Sequence, residues 1–387
     1  MVVKVVIGAN AGDEGKGLMT DYFCHQSALR GDKCLVVLHN GGAQRGHTVS
    51  TPDGKRHVFH HFGSGTFTGA DTYFSEDFIL NPMVFRQEWE ELKKIGFEPK
   101  VYVNCDCKVT TPFDMILNQI IEEARGDTKH GSCGMGIHET IVRDVCNYSY
   151  GMWCYCSNIT RRNYLKKIQG YLIRKLTNSG IEEISNEWAN IIYSDALIEN
   201  FISDLEFMNK HVSFRLRDSH ENYNCVVFEN GQGLLLDQNN MEYYPHLTPS
   251  NTGIKNPIDI ISSMRCKHEV EVCYVTRTYL TRHGAGRLDG ECDKAEINPE
   301  MQDLTNIPNL HQGTLRYAKL DEESLEKRIL KDFETARQYG AKISLAVTHK
   351  NEYDHVFSNE FKNSFDCIYC SDGETRESVR SMRNESN

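Results

Sequence analysis

The sequence predicts an α/β protein with a large, mostly parallel central sheet flanked by helices. Short apolar runs rich in β-branched residues alternate with amphipathic helical stretches, as expected for a sheet covered on both faces. Two helices are clear, NPMVFRQEWEELKKIG and DEESLEKRILKDFETARQYG, and each ends at a glycine. The predicted strands are VVKVVIG, KCLVVLHN, KVYVNC, NCVVFEN, EVCYVTR, ISLAVTH and FDCIYC.

The chain of 387 residues has an ordinary composition for a globular protein, with 25% charged and 39% hydrophobic residues. Residues from about 157 to 222 are read as long polar helices, RRNYLKKIQGYLIRKL and IEEISNEWANIIYSDALIENFISDLEFMN, which predict a helical insert. The sequence shows no internal repeat and no low-complexity linker. We therefore expect one elaborated domain spanning residues 1–387.

The charge balance and hydropathy restrict the partners and the compartment. A formal net charge of −11 argues against non-specific binding of nucleic acid, which needs a surplus of Lys and Arg. The sequence has no apolar run of about 18 residues, as a membrane-spanning helix requires, and its first residues lack the longer apolar core of a signal peptide. We expect a cytoplasmic protein without a nucleic-acid or membrane partner; for a viral protein this means the host cytoplasm.

A glycine-rich turn follows the first predicted strand, in VVIGANAGDEGKG at residues 5–17. The usual phosphate-loop pattern fails because Asn10 and Gly17 stand where a glycine and a Ser or Thr are needed. The dinucleotide-binding pattern fails because its third glycine is missing. The turn carries two carboxylates, Asp13 and Glu14, which would repel phosphate unless a metal or a catalytic step required them.

Polar clusters stand at the ends of six predicted strands. Since ligands of parallel sheets gather at the carboxyl ends of the strands, these clusters predict one composite site on one edge. The clusters are Asp13 with its turn, HNGGAQRGHT, ENGQG, TRHGAGR, THKNEYD and SDGETR.

Taken in order, the motifs GDEGKG, NGGAQRGHT, FENGQGLLLD, YPHLTPSNTG, TRHGAGR, THKNEYD and SDGETR extend over essentially the whole chain. In this order they resemble adenylosuccinate synthetases. That resemblance implies a homodimeric ligase that joins L-aspartate to C6 of IMP, with GTP phosphorylating the O6 oxygen in the presence of Mg²⁺.

The resemblance also implies roles for the residues of the glycine-rich turn and of RGHT. Asp13 would accept the N1 proton of the purine and bind magnesium. His47, assisted by Lys16, would stabilise the transferring phosphoryl group. The carbonyl of Gly46 would be a second magnesium ligand.

Further residues are implied as nucleotide and aspartate contacts. Gln232 would hydrogen-bond the acceptor base, and Arg143 would reach the phosphate bound by the neighbouring subunit. The loop GSCGMGIHETIVRD matches only loosely, so Ser132 and Cys133 both stand at the phosphate-binding position, and only Ser132 has a hydroxyl group. The implied donor contacts are Gly15, Gly17, Thr48, Asn351, Ser371 and Gly373; the acceptor contacts are Gln44, Ser132, Arg143, Gln232 and Thr248; the aspartate contacts are Thr314 and Arg316.

The sequence departs from the family pattern in three places. Asn351 in THKN stands where the family has the guanine-selecting carboxylate. In NLHQGTLRYAKLD, Gly313 replaces an arginine that would contact the ribose 2′-hydroxyl, and the chain is also short for the family. These features resemble the viral (phage) 2-aminoadenylosuccinate synthetases, although those often carry a small residue in place of the catalytic aspartate, and this chain retains Asp13.

The resemblance therefore implies a specific reaction. The substrates would be dGMP, L-aspartate and ATP or dATP, and the products 2-amino-2′-deoxy-N6-succinyl-AMP, ADP (dADP from dATP) and phosphate, formed through a 6-phosphoryl intermediate. One alternative is an ordinary adenylosuccinate synthetase that uses IMP and GTP. The other is a non-catalytic purine nucleotide sensor, which would not need Asp13, Lys16 and His47 together.

Overall fold

A ten-stranded sheet forms the centre of the computed structural model within the part of the chain that it describes, residues 1–148, 158–215, 220, 222–265, 268–301, 314–353 and 355–383. Smaller sheets lie beside it. The strands are β1 (Val2–Gly8), β2 (Cys34–Leu38), β3 (His47–Ser50), β4 (Arg56–Phe59), β5 (Asp71–Phe74), β6 (Ile79–Leu80), β7 (Val101–Val103), β8 (Lys108–Val109), β9 (Val212–Phe214), β10 (Cys225–Gly233), β11 (Glu269–Arg277), β12 (Leu280–Arg282), β13 (Glu291–Cys292), β14 (Arg316–Ala318), β15 (Lys342–Thr348), β16 (Cys367–Ser371) and β17 (Val379–Arg383).

The strand order of the large sheet is β17-β16-β15-β11-β1-β10-β2-β5-β7-β9. Every neighbouring pair in it is parallel except β16 and β17, which are antiparallel. The predicted large, mostly parallel central sheet is therefore confirmed. Its parallel strands end on one common edge, and the polar segments that follow β1, β2, β11, β15 and β16 meet there.

All seven predicted apolar runs form strands of this sheet, namely β1, β2, β7, β10, β11, β15 and β16. The sequence analysis missed β5, β9 and β17. The first has only four residues and begins with Asp71, while β9 has three residues with an exposed Phe214 at the sheet edge. Neither has the long apolar run that identifies a buried parallel strand.

Helices flank the sheet. They are α1 (Lys16–Ala28), α2 (Pro82–Lys94), α3 (Pro112–Ala124), α4 (Ile137–Arg143), α5 (Asn158–Asn178), α6 (Asn186–Ile192), α7 (Asp195–His211), α8 (Lys255–Ser263), α9 (Lys294–Ile297), α10 (Glu322–Arg337) and α11 (Asn359–Lys362). No helix in the described ranges is long and apolar enough to cross a membrane.

The two helices predicted most clearly are α2 and α10. The side chain of Asn81 caps α2 by accepting hydrogen bonds from the backbone N–H groups of Met83 and Val84. Asp321 caps α10 through the N–H of Ser324. The chain leaves the two helices at Gly96 (φ 89°) and Gly340 (φ 68°), a left-handed conformation that favours glycine.

The segment predicted as a helical insert contains α5, α6 and α7 in its described part. The second predicted helical stretch is divided in two, because α6 ends at Ile192 and α7 begins at Asp195. The helices are also less polar than expected, since Leu165 and Leu172 of α5 and Phe201 of α7 are buried in the main hydrophobic core. The segment then continues into β9, which pairs with β7.

The sheet has a hydrophobic core on each face. One core packs α1, α2, α3, α5 and α7 against side chains such as Val36 and Phe74. The other packs α8, α10 and α11 against side chains such as Val5 and Val272. Because strands covered on both faces are held firmly in register, the edge that carries the polar segments has a rigid support.

Candidate active site

A cavity of about 530 Å³ lies at the carboxyl edge of the sheet. Its wall is built from the β1–α1 turn and from segments that follow β2, β10, β11, β15 and β16. Eleven of the candidate residues named from the sequence line it: Asp13, Gly15, Lys16, Gly17, Gln44, Gly46, His47, Thr48, Gln232, Asn351 and Gly373.

The β1–α1 turn is shaped by close backbone packing. Gly12 has a φ of 116°, and a Cβ atom there would come within 3.1 Å of the backbone nitrogen of Gly233. The N–H of Gly12 donates to Oε1 of Glu14 at 2.7 Å, and Lys16 donates its Nζ to the carbonyl of Gly12. Since α1 begins at Lys16, the unpaired N–H groups of its first turn lie at the cavity, as in many phosphate sites.

Asp13 is paired with Arg277, a residue that the sequence analysis did not select. Nη2 of Arg277 donates to Oδ2 of Asp13 at 2.8 Å, while its Nε donates to the Asp13 carbonyl at 2.5 Å. Burial opposes ionisation of Asp13, but Arg277, His283, His349 and Lys16 outweigh burial and lower the pKa of the carboxyl group. Asp13 is therefore a carboxylate at neutral pH.

His47 is fixed by Glu229, which is buried at 1% exposure. The His47 Nδ1 lies 2.6 Å from Oε1 of Glu229. Burial lowers the pKa of His47 to about 4, although the charge of Glu229 opposes this. The imidazole is thus neutral at pH 7, and the carboxylate partner assigns its proton to Nδ1, which leaves a lone pair on Nε2.

Glu229 accepts hydrogen bonds from several donors beside the cavity. Besides His47, it accepts hydrogen bonds from the backbone N–H of Ser64 at 3.0 Å, from the Ser64 hydroxyl group, and from Nη2 of Arg45 at 3.3 Å. Burial opposes ionisation of Glu229, but Arg45, His47 and Ser64 outweigh it and lower the pKa to about 2. The carboxylate therefore remains ionised inside the protein.

Several buried polar atoms on this wall lack a partner among the described residues. They include both side-chain polar atoms of Gln44, Nε and Nη1 of Arg45, and Nε2 of His47. Buried polar groups in proteins are nearly always hydrogen-bonded. This concentration of unsatisfied atoms at one cavity indicates a place for a polar ligand.

The loop from Gly131 to Gly136 places Cys133, and not Ser132, on the cavity wall. Ser132 donates its hydroxyl to Oδ1 of Asn118 at 2.7 Å. Burial raises the pKa of the Cys133 thiol, so it stays protonated at neutral pH. The structure thus departs from the expectation that Ser132 contacts the acceptor phosphate.

Arg143 also departs from its expected role. Its side chain is fully buried, with Nε 2.7 Å from Oδ1 of Asp114, Nη2 3.0 Å from Oδ2, and a further bond from Nη2 to the carbonyl of Val109. This bidentate pair joins α4 to the start of α3 and satisfies the guanidinium group internally. Within this subunit the side chain of Arg143 is therefore held by Asp114 and Val109 and lies away from the cavity wall.

The two residues expected to bind aspartate lie outside the cavity wall. Arg316 donates from Nε to Glu291 at 2.7 Å and from Nη1 to the carbonyl of Gly286 at 2.8 Å. Thr314 is exposed to solvent, and Gly313 lies outside the described residues. Among the described residues, Arg316 therefore contacts Glu291 and Gly286, and its role in binding aspartate stays a prediction.

The remaining candidates lie just behind the cavity wall. The hydroxyl of Ser371 donates to the carbonyl of Gly373 at 2.9 Å and supports a segment that lines the cavity. Thr248 donates its backbone N–H to the carbonyl of Leu236, which lines the cavity. Both residues are thus one contact away from the space that a ligand would occupy.

Comparison with known proteins assigns the family. The model of the family described as adenylosuccinate synthetase matches residues 5–316. This chain belongs to the adenylosuccinate synthetase family. It is 29% identical over 305 residues to the adenylosuccinate synthetase of Lactobacillus acidophilus, covering 75% of this chain and 65% of that protein. It is 28% identical over 304 residues to the enzyme of Picrophilus torridus, covering 76% and 67%, so the match spans about two thirds of these relatives.

Solved structures show the same fold. The fully ligated adenylosuccinate synthetase of Plasmodium falciparum superimposes with a TM-score of 0.70 at 16% identity, over 98% of this chain and 99% of that chain. The cyanophage S-2L succinoaminodeoxyadenylate synthetase, bound to dGMP and to dATP as an energy donor, superimposes with a TM-score of 0.61 at 14% identity. That comparison covers 98% of this chain and 95% of the phage chain.

Within this family fold, sequence reasoning missed four polar residues around the site: Glu229, Arg277, Arg282 and His283. Glu229 stands in the recognised motif FENGQGLLLD, Arg282 and His283 stand in TRHGAGR, and Arg277 ends the predicted strand EVCYVTR. Their position at strand ends was a usable signal. Their partners could not be predicted from the sequence, because the pairs join residues far apart in sequence, such as Asp13 and Arg277.

The buried neutral His47 predicts a loss of stability in acid. Its pKa is about 4 in the folded protein and about 6.5 when unfolded. The unfolded state therefore takes up an extra proton as pH falls from about 6.5 to 4. This should remove about 1.4 kcal/mol of unfolding free energy per pH unit in that window.

Urea unfolding of wild type and His47→Gln at several pH values between 7.5 and 4.5 measures this contribution. We expect the free energy of unfolding of the variant to fall less steeply with decreasing pH, with an unchanged urea m-value. Parallel pH dependences for the two proteins would contradict the neutral, buried state of His47.

Proposed function

We propose that this protein is a purine nucleotide–L-aspartate ligase. In this reaction, O6 of the purine attacks the γ-phosphorus of a nucleoside triphosphate and displaces the diphosphate. The amino group of L-aspartate then attacks C6, inorganic phosphate leaves with the O6 oxygen, and a C–N bond is formed. The observation that supports this most directly is that an ionised Asp13, a buried Lys16 and a Glu229-anchored His47 line one cavity.

Asp13 would accept the N1 proton of the acceptor base. Loss of this proton increases the electron density on O6 and makes it a better nucleophile. The lowered pKa of Asp13 keeps the carboxylate available at neutral pH. Arg277 fixes the position of Asp13 by bonding both its side chain and its carbonyl.

His47 would contact the transferring phosphoryl group through Nε2, while Nδ1 stays bonded to Glu229. The negative charge that accumulates on the phosphoryl oxygens favours the imidazolium form, in which Nε2 also carries a proton and donates a hydrogen bond. The Glu229 carboxylate stabilises that form. Lys16, whose charge lies at the start of α1, would bind the same phosphates.

A magnesium ion fits the chemistry of this wall. The described residues contain no cluster of three or more His, Cys, Asp or Glu side chains that would form a complete protein cage. Magnesium in phosphoryl-transfer sites instead uses one or two protein oxygens together with substrate phosphates. The Asp13 carboxylate and the Gly46 carbonyl would supply these oxygens, and the ion would neutralise phosphate charge when bound.

The finer proposal is that the acceptor is dGMP. The cyanophage S-2L relative in fold is bound to dGMP, and Gly313 removes an arginine that the resemblance places at the ribose 2′-hydroxyl. A carboxylate facing guanine accepts hydrogen bonds from both N1–H and the 2-amino group, so Asp13 is compatible with this base. The alternative acceptor is IMP, which the resemblance to adenylosuccinate synthetases implies.

The proposed donor is ATP or dATP, with GTP as the alternative. Asn351 lines the cavity and offers one carbonyl acceptor and one amide donor, which match the mixed edge of adenine. A carboxylate at this position would match the two donors of guanine. Arg143 is not proposed as a contact between the subunits of the expected homodimer, because its side chain is buried within its own subunit.

The base assigned to Asp13 is tested by Asp13→Asn. The amide keeps the size of the side chain but cannot accept the N1 proton, so turnover should fall about a hundredfold or more. Nucleotide affinity, measured by calorimetry, should change far less. Turnover close to that of wild type would rule out this mechanism.

The donor specificity is tested by Asn351→Asp. We expect the ratio of kcat/KM for ATP over GTP to decrease about tenfold or more, because mismatched buried hydrogen bonds cost about 1–3 kcal/mol each. Lys350→Gln, a change at the exposed neighbouring residue, is the matched control and should leave the ratio unchanged. A wild-type enzyme that prefers GTP would refute the donor assignment.

The acceptor is tested with a panel of IMP, GMP and dGMP, at saturating ATP and L-aspartate. We expect the highest kcat/KM for dGMP, with the succinylated nucleotide identified by mass spectrometry. A several-fold preference for IMP would assign the chain to ordinary adenylosuccinate synthesis. Nucleotide binding without product formation from any acceptor would favour the sensor.

A further inference from the structure

Arg282 is a buried arginine without a carboxylate partner among the described residues. Its relative exposure is 2%. The other buried arginines in the described ranges each lie within 4.0 Å of a carboxylate: Arg45 with Glu229, Arg143 with Asp114, Arg161 with Glu206, and Arg277 with Asp13.

The guanidinium group of Arg282 is held in place by neutral acceptors. Nη1 donates to the carbonyl of Arg287 at 2.8 Å, and Nη2 donates to the carbonyl of His246 at 2.9 Å. Its Nε is buried and has no hydrogen-bond partner in the described part of the chain. A buried cation without a counter-ion is strongly unfavourable, so an anionic ligand fits this position.

Arg282 lies on the cavity wall together with Cys133 and Thr281. The carbonyl of His246, which accepts a hydrogen bond from Arg282, belongs to the segment leading to Thr248. Nδ1 of His246 is 3.1 Å from the carbonyl of His130. The loop that follows His130 packs closely on the residues after Arg282, since a Cβ atom at Gly131 would lie 3.3 Å from the backbone nitrogen of Ala285. Arg282 therefore bonds the segment that leads to Thr248, and the residues that follow it pack on the loop that carries Ser132 and Cys133.

We propose that Arg282 binds the 5′-phosphate of the acceptor nucleotide within its own subunit. This rests on the proposed function for the identity of the nucleotide. It replaces the contact expected from Arg143 of a neighbouring subunit, since Arg143 is satisfied by Asp114. The amino-acid carboxylates of L-aspartate are the competing anions, and the experiment separates the two.

The test compares Arg282→Gln with wild type by calorimetry in the absence of donor, using dGMP and deoxyguanosine as ligands. If Arg282 contacts the phosphate, the dissociation constant for dGMP should rise about tenfold or more. The constant for deoxyguanosine, which lacks the phosphate, should not change. Arg287→Gln is the control, because that arginine is on the same loop with an exposed side chain paired to Asp289.

The affinity for deoxyguanosine and the KM for L-aspartate separate a phosphate contact from other roles of Arg282. An equal loss of affinity for dGMP and deoxyguanosine, or a raised KM for L-aspartate with unchanged dGMP affinity, would overturn the proposal. If Arg282→Gln does not fold, as judged by thermal melting, Arg282→Lys is used; it keeps the charge and should weaken dGMP but not deoxyguanosine. Wild-type protein that binds dGMP and forms no product would reject the ligase while leaving this contact intact.

Discussion

The site depends on the hydrogen bonds that the buried carboxylate of Glu229 accepts. Glu229 belongs to β10, which pairs with β1 and β2 near the middle of the sheet, and it receives hydrogen bonds from Arg45, His47 and Ser64. Segments that are far apart in sequence are thereby tied to one strand. Since β10 is buried on both faces, the position of His47 is set by the sheet and not by a free loop.

Charge at the cavity contrasts with the charge of the whole chain. The net charge is −11, yet Lys16, Arg45, Arg277 and Arg282 line the cavity. The carboxylates on the same wall, including Asp13, are fewer. A local excess of positive groups in a low-dielectric cleft concentrates phosphate ligands without making the surface a nucleic-acid binder.

The sheet and the place of the site could be predicted from the sequence, while many side-chain contacts could not. Asp13, Lys16 and His47 belong to the polar segments that come after β1 and β2, so their meeting at one edge follows from parallel pairing. Arg143 pairs with Asp114 only because α4 packs on α3. The choice between Ser132 and Cys133 depends on the backbone at Gly131 and Gly134, each with a φ of 77°, and no residue pattern reports that orientation.

Phosphorylation of the purine oxygen is the central claim, because it gives Asp13, His47 and Lys16 one common task. It is tested most directly with dGMP labelled with oxygen-18 at O6, incubated with ATP, magnesium, L-aspartate and the enzyme. The account predicts that the label is transferred to the inorganic phosphate, one atom for each succinylated nucleotide formed. Formation of that product with unlabelled phosphate, and with the label released into water, would contradict it.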